Sequence, residues 1–398
     1  MKKTFTILLA LTLTMLLLTM PSMAQDSNMT DGCVDEYDES VDYFPSKAEV
    51  EYAEGFAVEY FNNYKIVTIL SPWRDAEEVF EYALVQCGTP APEGYDDVQI
   101  VYVPVESAAM TSTTFLPHME TQGIVDHLVG LDSDSIMLTS VESALDLIAD
   151  GGITDIGLTW DPNVEVIIEL DAAMIMLQQF SPGAGAYASM VEIGLPAVLN
   201  ADFVETTPLG RAEWGKYISF FFNTEAAANA EFSAVAESYI ELLELTENIE
   251  ERPSAFLNSP WDGTWYMSGG DSFMAVMLFD AGADYPWADD DSKDSLYLDF
   301  ETVLDMAGDA DYWLNVGQYW MTLDDGLAED ERFAEFAAFQ NGTLFSNNGQ
   351  TNANGGNAYY DLGAVNPDVV LADMIAIFHP DLMPDHEFVY YQQIPAGQ

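Results

Sequence analysis

The alternation of apolar and polar residues changes period several times along the chain, and each change marks an element. Residues 49–60 alternate around Glu54-Gly55, the signature of a hairpin, and 64–70 continues as a strand. Residues 76–85 form another extended piece ending at Cys87-Gly88, and the Pro- and Gly-rich run 89–94 closes this β-rich part. Beyond it strands alternate with helices, the order expected of parallel βαβ units. Residues 99–110 give a strand and a Ser/Thr-rich turn, 115–122 a helix, and 127–131 a short strand. Helices follow at 141–148 and Val164–Leu170, the second with Asn163 as its N-cap. Met174–Leu177 is an apolar strand, 187–193 a helix and Ala197–Leu199 a last strand.

Residues 209–246 carry a helical period almost throughout. Trp214, Ile218, Phe221 and Phe222 form one stripe; Phe232, Val235, Tyr239, Leu242 and Leu243 continue it past a break at Asn223-Thr224. A second series then begins: strand 255–258, helices 273–281 and 300–307, strand 312–316, helix 333–338, strand 343–346 and helix 369–377. The predicted fold is α/β, with two Rossmann-like lobes joined by a long backbone helix and an N-terminal β-rich extension. The segments are 1–24, 25–98 (an acidic tether and the β-rich part), 99–206 (N-terminal lobe), 207–250 (linking helices) and 251–398 (C-terminal lobe).

The first segment changes the picture from a cytosolic chain to an exported one. Lys2 and Lys3 precede an apolar run over 5–20, followed by Pro21 and the small-residue site Ser22-Met23-Ala24. That is the layout of a secretory signal peptide cleaved after Ala24, in a chain bound for a periplasm or for secretion. Thr30 and Asp31 before Gly32-Cys33 make a poor lipidation box, so no lipid anchor is expected at Cys33. In an oxidising compartment the two cysteines, Cys33 and Cys87, predict one disulfide.

Composition adds a strong charge asymmetry. Ten Lys and Arg face 68 Asp and Glu, a net charge of −58. Such a chain repels nucleic acid and anionic membranes. Its compact state gains from salt screening, and a saline or cation-rich habitat is expected. Hydrophobic residues at 49% and aromatics at 13% still allow a sizeable core.

Several stretches resemble a known family. Residues 103–131 (VPVESAAMTSTTFLPHMETQGIVDHLVGL) run as strand, Ser/Thr turn, helix and a short "G-I-x-D-x-L-V-G" element. Residues 163–176 (NVEVIIELDAAMIM) follow the pattern "N-x-E-x-I-x-x-L-x-P-D-L-I", with Ala172-Ala173 replacing the usual Pro-Asp. Residues 256–272 and 298–314 (LDFETVLDMAGDADYWL) repeat the scheme. Together they resemble the ABC-transporter periplasmic substrate-binding proteins for iron–siderophore complexes and cobalamin, the class with a rigid backbone helix. The likeness spans about residues 99–398 and leaves the extension outside.

The resemblance implies a monomeric capture protein, not an enzyme, that closes by a small hinge movement on a metal chelate or corrinoid. It would deliver that ligand to an ABC permease and its ATPase. Glu165 and Glu301 begin equivalent helices and would dock on the permease. In open α/β sheets ligands meet the loops at the carboxyl ends of the strands. That rule nominates Ser112, Thr113 and Thr114; Gln178, Gln179 and Phe180; and Asn200 and Phe203. In the second lobe it nominates Ser259, Trp261, Trp265 and Tyr266; Asn315, Gln318, Tyr319 and Trp320; Asn347 and Asn348; and Tyr359 and Tyr360. The set expected to bind ligand is Thr113, Thr114, Phe180, Trp261, Trp265, Tyr266, Asn315, Trp320, Asn347 and Tyr359. Aromatic rings and amides suit a large, flat, partly apolar ligand. No Arg or Lys falls on these loops, which favours a neutral or cationic ligand.

No resident cofactor or metal is expected. His118, His127, His379 and His386 lack metal-ligand spacing, and no G-x-S-x-G, H-E-x-x-H or phosphate-binding loop occurs. The competing reading is a secreted metal-dependent hydrolase or a surface adhesin on an α/β scaffold.

Overall fold

A computed structural model describes residues 27–95, 98–182 and 186–397. The predicted signal peptide lies outside them. The extension forms a four-stranded sheet of Phe56–Tyr60, Tyr64–Ile69, Phe80–Gln86 and Gln99–Val103, in that order. The first two pairings are antiparallel and the third is parallel. Two expectations change here. Residues 49–55 form no strand, because two buried acids capture their amides. Glu213 accepts from Glu51, Tyr52 and Ala53 at 2.7–2.9 Å, and Glu205 from Glu54 and Gly55 at 3.0 and 2.8 Å. Strand Gln99–Val103, assigned above to the N-terminal lobe, hydrogen-bonds instead to Phe80–Gln86 of the extension's sheet.

Nor are the described residues of the expected acidic tether, from 27 to 48, loose. Cys33 and Cys87 form the expected disulfide. Phe44 and Ala48 are buried, and Asn28 donates to Glu225 at 2.7 Å. Phe44, Phe56, Val67 and Tyr82 share one hydrophobic core with Ala108, Met110, Ile175 and Val198 of the lobe that follows. The extension is thus built onto the first lobe.

That lobe centres on a parallel five-stranded sheet ordered Ala197–Leu199, Met174–Leu177, Ala108–Met110, Leu128–Leu131 and Thr154–Asp155. All of Ala108–Met110 and Met174–Leu177 is buried, as parallel strands covered on both faces require. Asn163 caps helix Val164–Leu170 by accepting from the Val166 amide. The short helix Ser133–Leu138 and the two-residue strand Thr154–Asp155 were not expected from the sequence, being too brief to show a period.

The second lobe has parallel strands Ala255–Leu257, Tyr312–Leu314 and Leu344–Ser346, with Gln392–Gln393 antiparallel at the edge. A hairpin-like pair, Trp265–Ser268 with Ser295–Leu298, lies beside it. The helix expected over 333–338 is broken into the 3-10 turn Glu331–Glu335 and helix Ala337–Asn341. Between them Phe336 is extended and wholly buried, 5.1 Å from Phe256 and 5.2 Å from Trp313.

The link is helical, as expected: Pro208–Ala212, Trp214–Phe222 and Glu225–Thr246. The last has 22 residues, about 33 Å at 1.5 Å per residue. The break falls at Asn223, whose left-handed backbone (φ 58°) ends one helix before the next begins. The junction is also where the chain passes for good from the first lobe's core to the second's, after Leu209 and Ala212 have already touched the second. Trp214–Phe222 belongs to the first lobe's core, while Phe232, Val235 and Tyr239 belong to the second's.

Candidate ligand cleft

The carboxyl ends of the first lobe's strands carry small polar groups held in place by one another. Thr111 accepts from the Gln178 amide at 2.9 Å, tying two strand ends together. Ser112 and Thr114 share a hydroxyl hydrogen bond of 2.9 Å. Thr114 is buried and Thr113 half-buried. Phe180 is half exposed and packs edge-on against Phe203 at 5.0 Å.

In the second lobe Asn258 and Asn315 each follow a parallel strand in a left-handed backbone, φ 64° and 55°. Asparagine tolerates that conformation better than most side chains. Asn258 donates to the Tyr266 carbonyl at 2.8 Å, and Asn315 accepts from the Tyr391 hydroxyl at 2.9 Å. Tyr266 packs edge-on against the exposed Tyr297 at 5.4 Å. Trp261, 75% exposed, and Tyr319, 79% exposed, offer rings to solvent. Asn347 donates to the Tyr360 hydroxyl, 3.3 Å away.

Two nominated tryptophans are buried inside the second lobe. Trp265 is fully buried among Phe256, Trp313 and Phe336 and donates to the Leu257 carbonyl. Trp320 is buried edge-on against Trp313 and donates to Glu329 at 2.9 Å. Both belong to the core because their rings close the second lobe's sheet. Position after a strand does not distinguish such a ring from one aimed outward. Tyr359 is also largely buried; its hydroxyl meets Met274 Sδ at 3.1 Å, and burial pushes the phenol up to about 12.

The lobes touch through polar groups on two flanks. On one, Asp361 accepts from the Ser140 amide at 2.6 Å, and Asn352 donates to the Thr139 carbonyl at 2.9 Å. Burial pushes Asp361 up to about 6, against hydrogen bonds from Ser140 and Leu362 that hold it down. On the other flank Arg74 of the extension pairs with Asp294 at 2.5 Å. A cavity of about 200 Å³ lies there, lined by Trp73, Arg74, Val204, Glu205 and Lys293 among others.

A cation that the sequence pattern did not single out also stands here. Arg211, on helix Pro208–Ala212, lies 5.6 Å from the Phe273 ring, and its charge opposes the upward push on Tyr359. It follows no strand and opens the linking segment, so the strand-end rule passes over it. Glu165 and Glu301 stand in the first turns of Val164–Leu170 and Phe300–Ala307. Both are exposed, and Glu301 meets Arg332 at 3.4 Å. Among the described residues no group of three or more His, Cys, Asp or Glu could hold a metal ion.

Comparison with known proteins gives this geometry a context. A sequence profile described as periplasmic binding protein matches residues 123–350, more than half of the chain. An uncharacterised lipoprotein of Methanocaldococcus jannaschii is 26% identical over 301 residues, covering 72% of this chain and 68% of that protein. The molybdate periplasmic binding protein MolA of Haemophilus influenzae superposes with a TM-score of 0.54 at 14% identity, over 71% of this chain and 89% of that one. The periplasmic haem-binding protein HutB of Vibrio cholerae gives a TM-score of 0.51 at 17% identity, over 67% and 99%. At these identities the two structures establish a shared fold.

Proposed function

We propose that this chain, which belongs to the periplasmic binding protein family, captures a metal chelate, haem-like macrocycle or corrinoid between its lobes for an ABC importer. The observation that carries this reading is the set of exposed rings at strand ends of both lobes. Phe180 belongs to the first lobe, and Trp261, Tyr266 and Tyr319 to the second. Rings left so exposed have apolar faces to offer a flat ligand. Within the family the occupant varies, since MolA is a molybdate-binding and HutB a haem-binding protein. Thr113, Asn315, Asn347 and Tyr359 would supply the polar edge, while Trp265 and Trp320 shape the lobe from inside.

Titration of the mature protein with cobalamin, haem, ferrichrome and ferric citrate tests this, read by tryptophan fluorescence and melting temperature. Saturable quenching with a raised melting temperature is expected for one class. No response to any of them, or turnover of a hydrolase substrate panel, would reject it.

Glu165 and Glu301 are proposed to register the permease through complementary charge. Glu165→Arg with Glu301→Arg should abolish uptake and leave ligand affinity unchanged; lost affinity would count against the assignment. The extension over 25–98 is proposed to act as part of the first lobe, since the two share a core. Export with cleavage after Ala24 fits the family. The Methanocaldococcus relative is named a lipoprotein. In this chain, pairing of Cys33 with Cys87 leaves Cys33 no thiol for a lipid.

A further inference from the structure

Arg211 is unusual in a chain with 68 acidic residues. Every other described arginine meets a carboxylate: Arg74 with Asp294, Arg252 with Asp284 and Arg332 with Asp330. So do all described lysines except the exposed Lys293. Arg211 makes no side-chain hydrogen bond or ion pair with any described residue, and its Nε has neither solvent contact nor an acceptor. Arg211 is half-buried overall, but holding its Nε out of water without an acceptor is unfavourable. The Phe273 face at 5.6 Å offsets only part of that. A carboxylate could have been placed beside it almost anywhere in so acidic a sequence, and none was.

The location gives the unpaired guanidinium a purpose. Helix Pro208–Ala212 precedes the first lobe's core helix Trp214–Phe222, yet its Leu209 and Ala212 join the second lobe's core, and it packs on helices Phe273–Asp280, Leu362–Val365 and Pro367–Phe378 of that lobe. Arg211 therefore stands where the lobes meet, beside Phe273 and within electrostatic reach of Tyr359, a residue nominated for ligand. Guanidinium donors match the geometry of carboxylates and tetrahedral oxyanions.

We infer that Arg211 is the anion anchor of the cleft, taking a carboxylate or oxyanion group of a negatively charged ligand between the lobes. This rests on the capture reading and reverses the neutral-ligand expectation drawn from the loops alone.

The test compares wild type, Arg211→Gln and Arg211→Lys by calorimetric titration with two sets of probes. Ferric citrate, haem and molybdate are anionic; ferrichrome and cobinamide, a corrinoid without the nucleotide phosphate, carry no anionic group exposed for a guanidinium. Wild type should bind at least one anionic probe. R211Q should weaken that binding roughly 30-fold or more, the scale of losing one partner of a desolvated charge pair. R211K, which keeps the charge on a similar stem, should retain part of it and answers for any folding defect of R211Q. Binding of the neutral probes alone, or anion binding unchanged in R211Q, overturns the inference and leaves capture standing. Binding of none of the five removes both.

Discussion

Two cations in one acidic chain, one fully buried and one half-buried, have opposite surroundings. Lys65, on the extension's sheet, is fully buried, and its ammonium donates to the Phe220 carbonyl, Asn223 Oδ1 and Glu225 Oε1 at 2.7, 2.9 and 2.6 Å. Three donors meet three acceptors, so nothing is left to offer. Arg211, at the meeting of the lobes, has five donors and no side-chain acceptor among the described residues. Burial pulls Lys65 below its ordinary value while Glu225 holds it up. A saturated cation fixes one segment against another; an unsaturated one waits for a partner from outside. Lys65 gives the extension its address on the first turn of the backbone helix, and Arg211 gives the cleft its selectivity.

The largest expected effect comes from breaking the saturated site. Lys65→Met leaves Glu225 charged and buried, and should lower unfolding free energy by about 3–5 kcal/mol. Urea denaturation measures it, and a loss under about 1 kcal/mol would show that the extension is not anchored there. Pairing it with Glu225→Leu should recover part of the loss, because an apolar pair needs no desolvation. Asn28 also donates to Glu225, so recovery should be incomplete.

The disulfide fastens the same segment by a different means. Cys33 and Cys87 are 54 residues apart in sequence, and a crosslink of that span is worth about 2–4 kcal/mol. Cys33→Ser with Cys87→Ser should destabilise by that amount and leave ligand affinity near wild type. A large affinity loss would mean that the extension, by way of Arg74, contributes directly to the cleft.

The same contrast between local and distant partners explains which features are legible in the sequence. Long periodic segments are: the stripe from Trp214 to Leu243, its break at Asn223, and the parallel strands Met174–Leu177 and Ala197–Leu199. Local chemistry alone suffices there. Sheet membership is not, because Gln99–Val103 pairs with Phe80–Gln86 through backbone bonds that leave no trace in side-chain pattern. The loop over 49–55 reads as a strand by alternation, but Glu205 and Glu213, some 150 residues away, decide otherwise. Site residues behave similarly. Strand ends can be located, yet Trp265 inside and Trp261 outside differ only through the core that surrounds one of them. Arg211 has no local signature at all, since what marks it is the lack of a partner in space.

The smallest effect expected is at a third charge, the buried Asp361, which joins the lobes rather than the extension or the ligand. Its carboxylate accepts from the Ser140 amide across the cleft and lies near Tyr390. Burial raises it from 3.8 to about 6. A carboxyl raised in the folded state binds its proton more tightly there than when unfolded. The stability it contributes is therefore complete below about pH 4 and is lost as pH rises through about 6. A shift of that size bounds the difference at about 3 kcal/mol, and the hydrogen bonds that the carboxylate accepts there are kept in part by the amide. Many surface carboxylates titrate over the same range, so the informative quantity is the difference between wild type and Asp361→Asn. The amide keeps an oxygen to accept from Ser140 and cannot ionise. Melting temperatures of the two should be closest near pH 4 and diverge towards pH 7, with the variant the more stable. Parallel curves from pH 4 to 7 would show that Asp361 is not desolvated in solution, and that the lobes part on that flank. With the flank open, Arg211 Nε would gain access to water as well, and the need for an anionic partner would weaken with it.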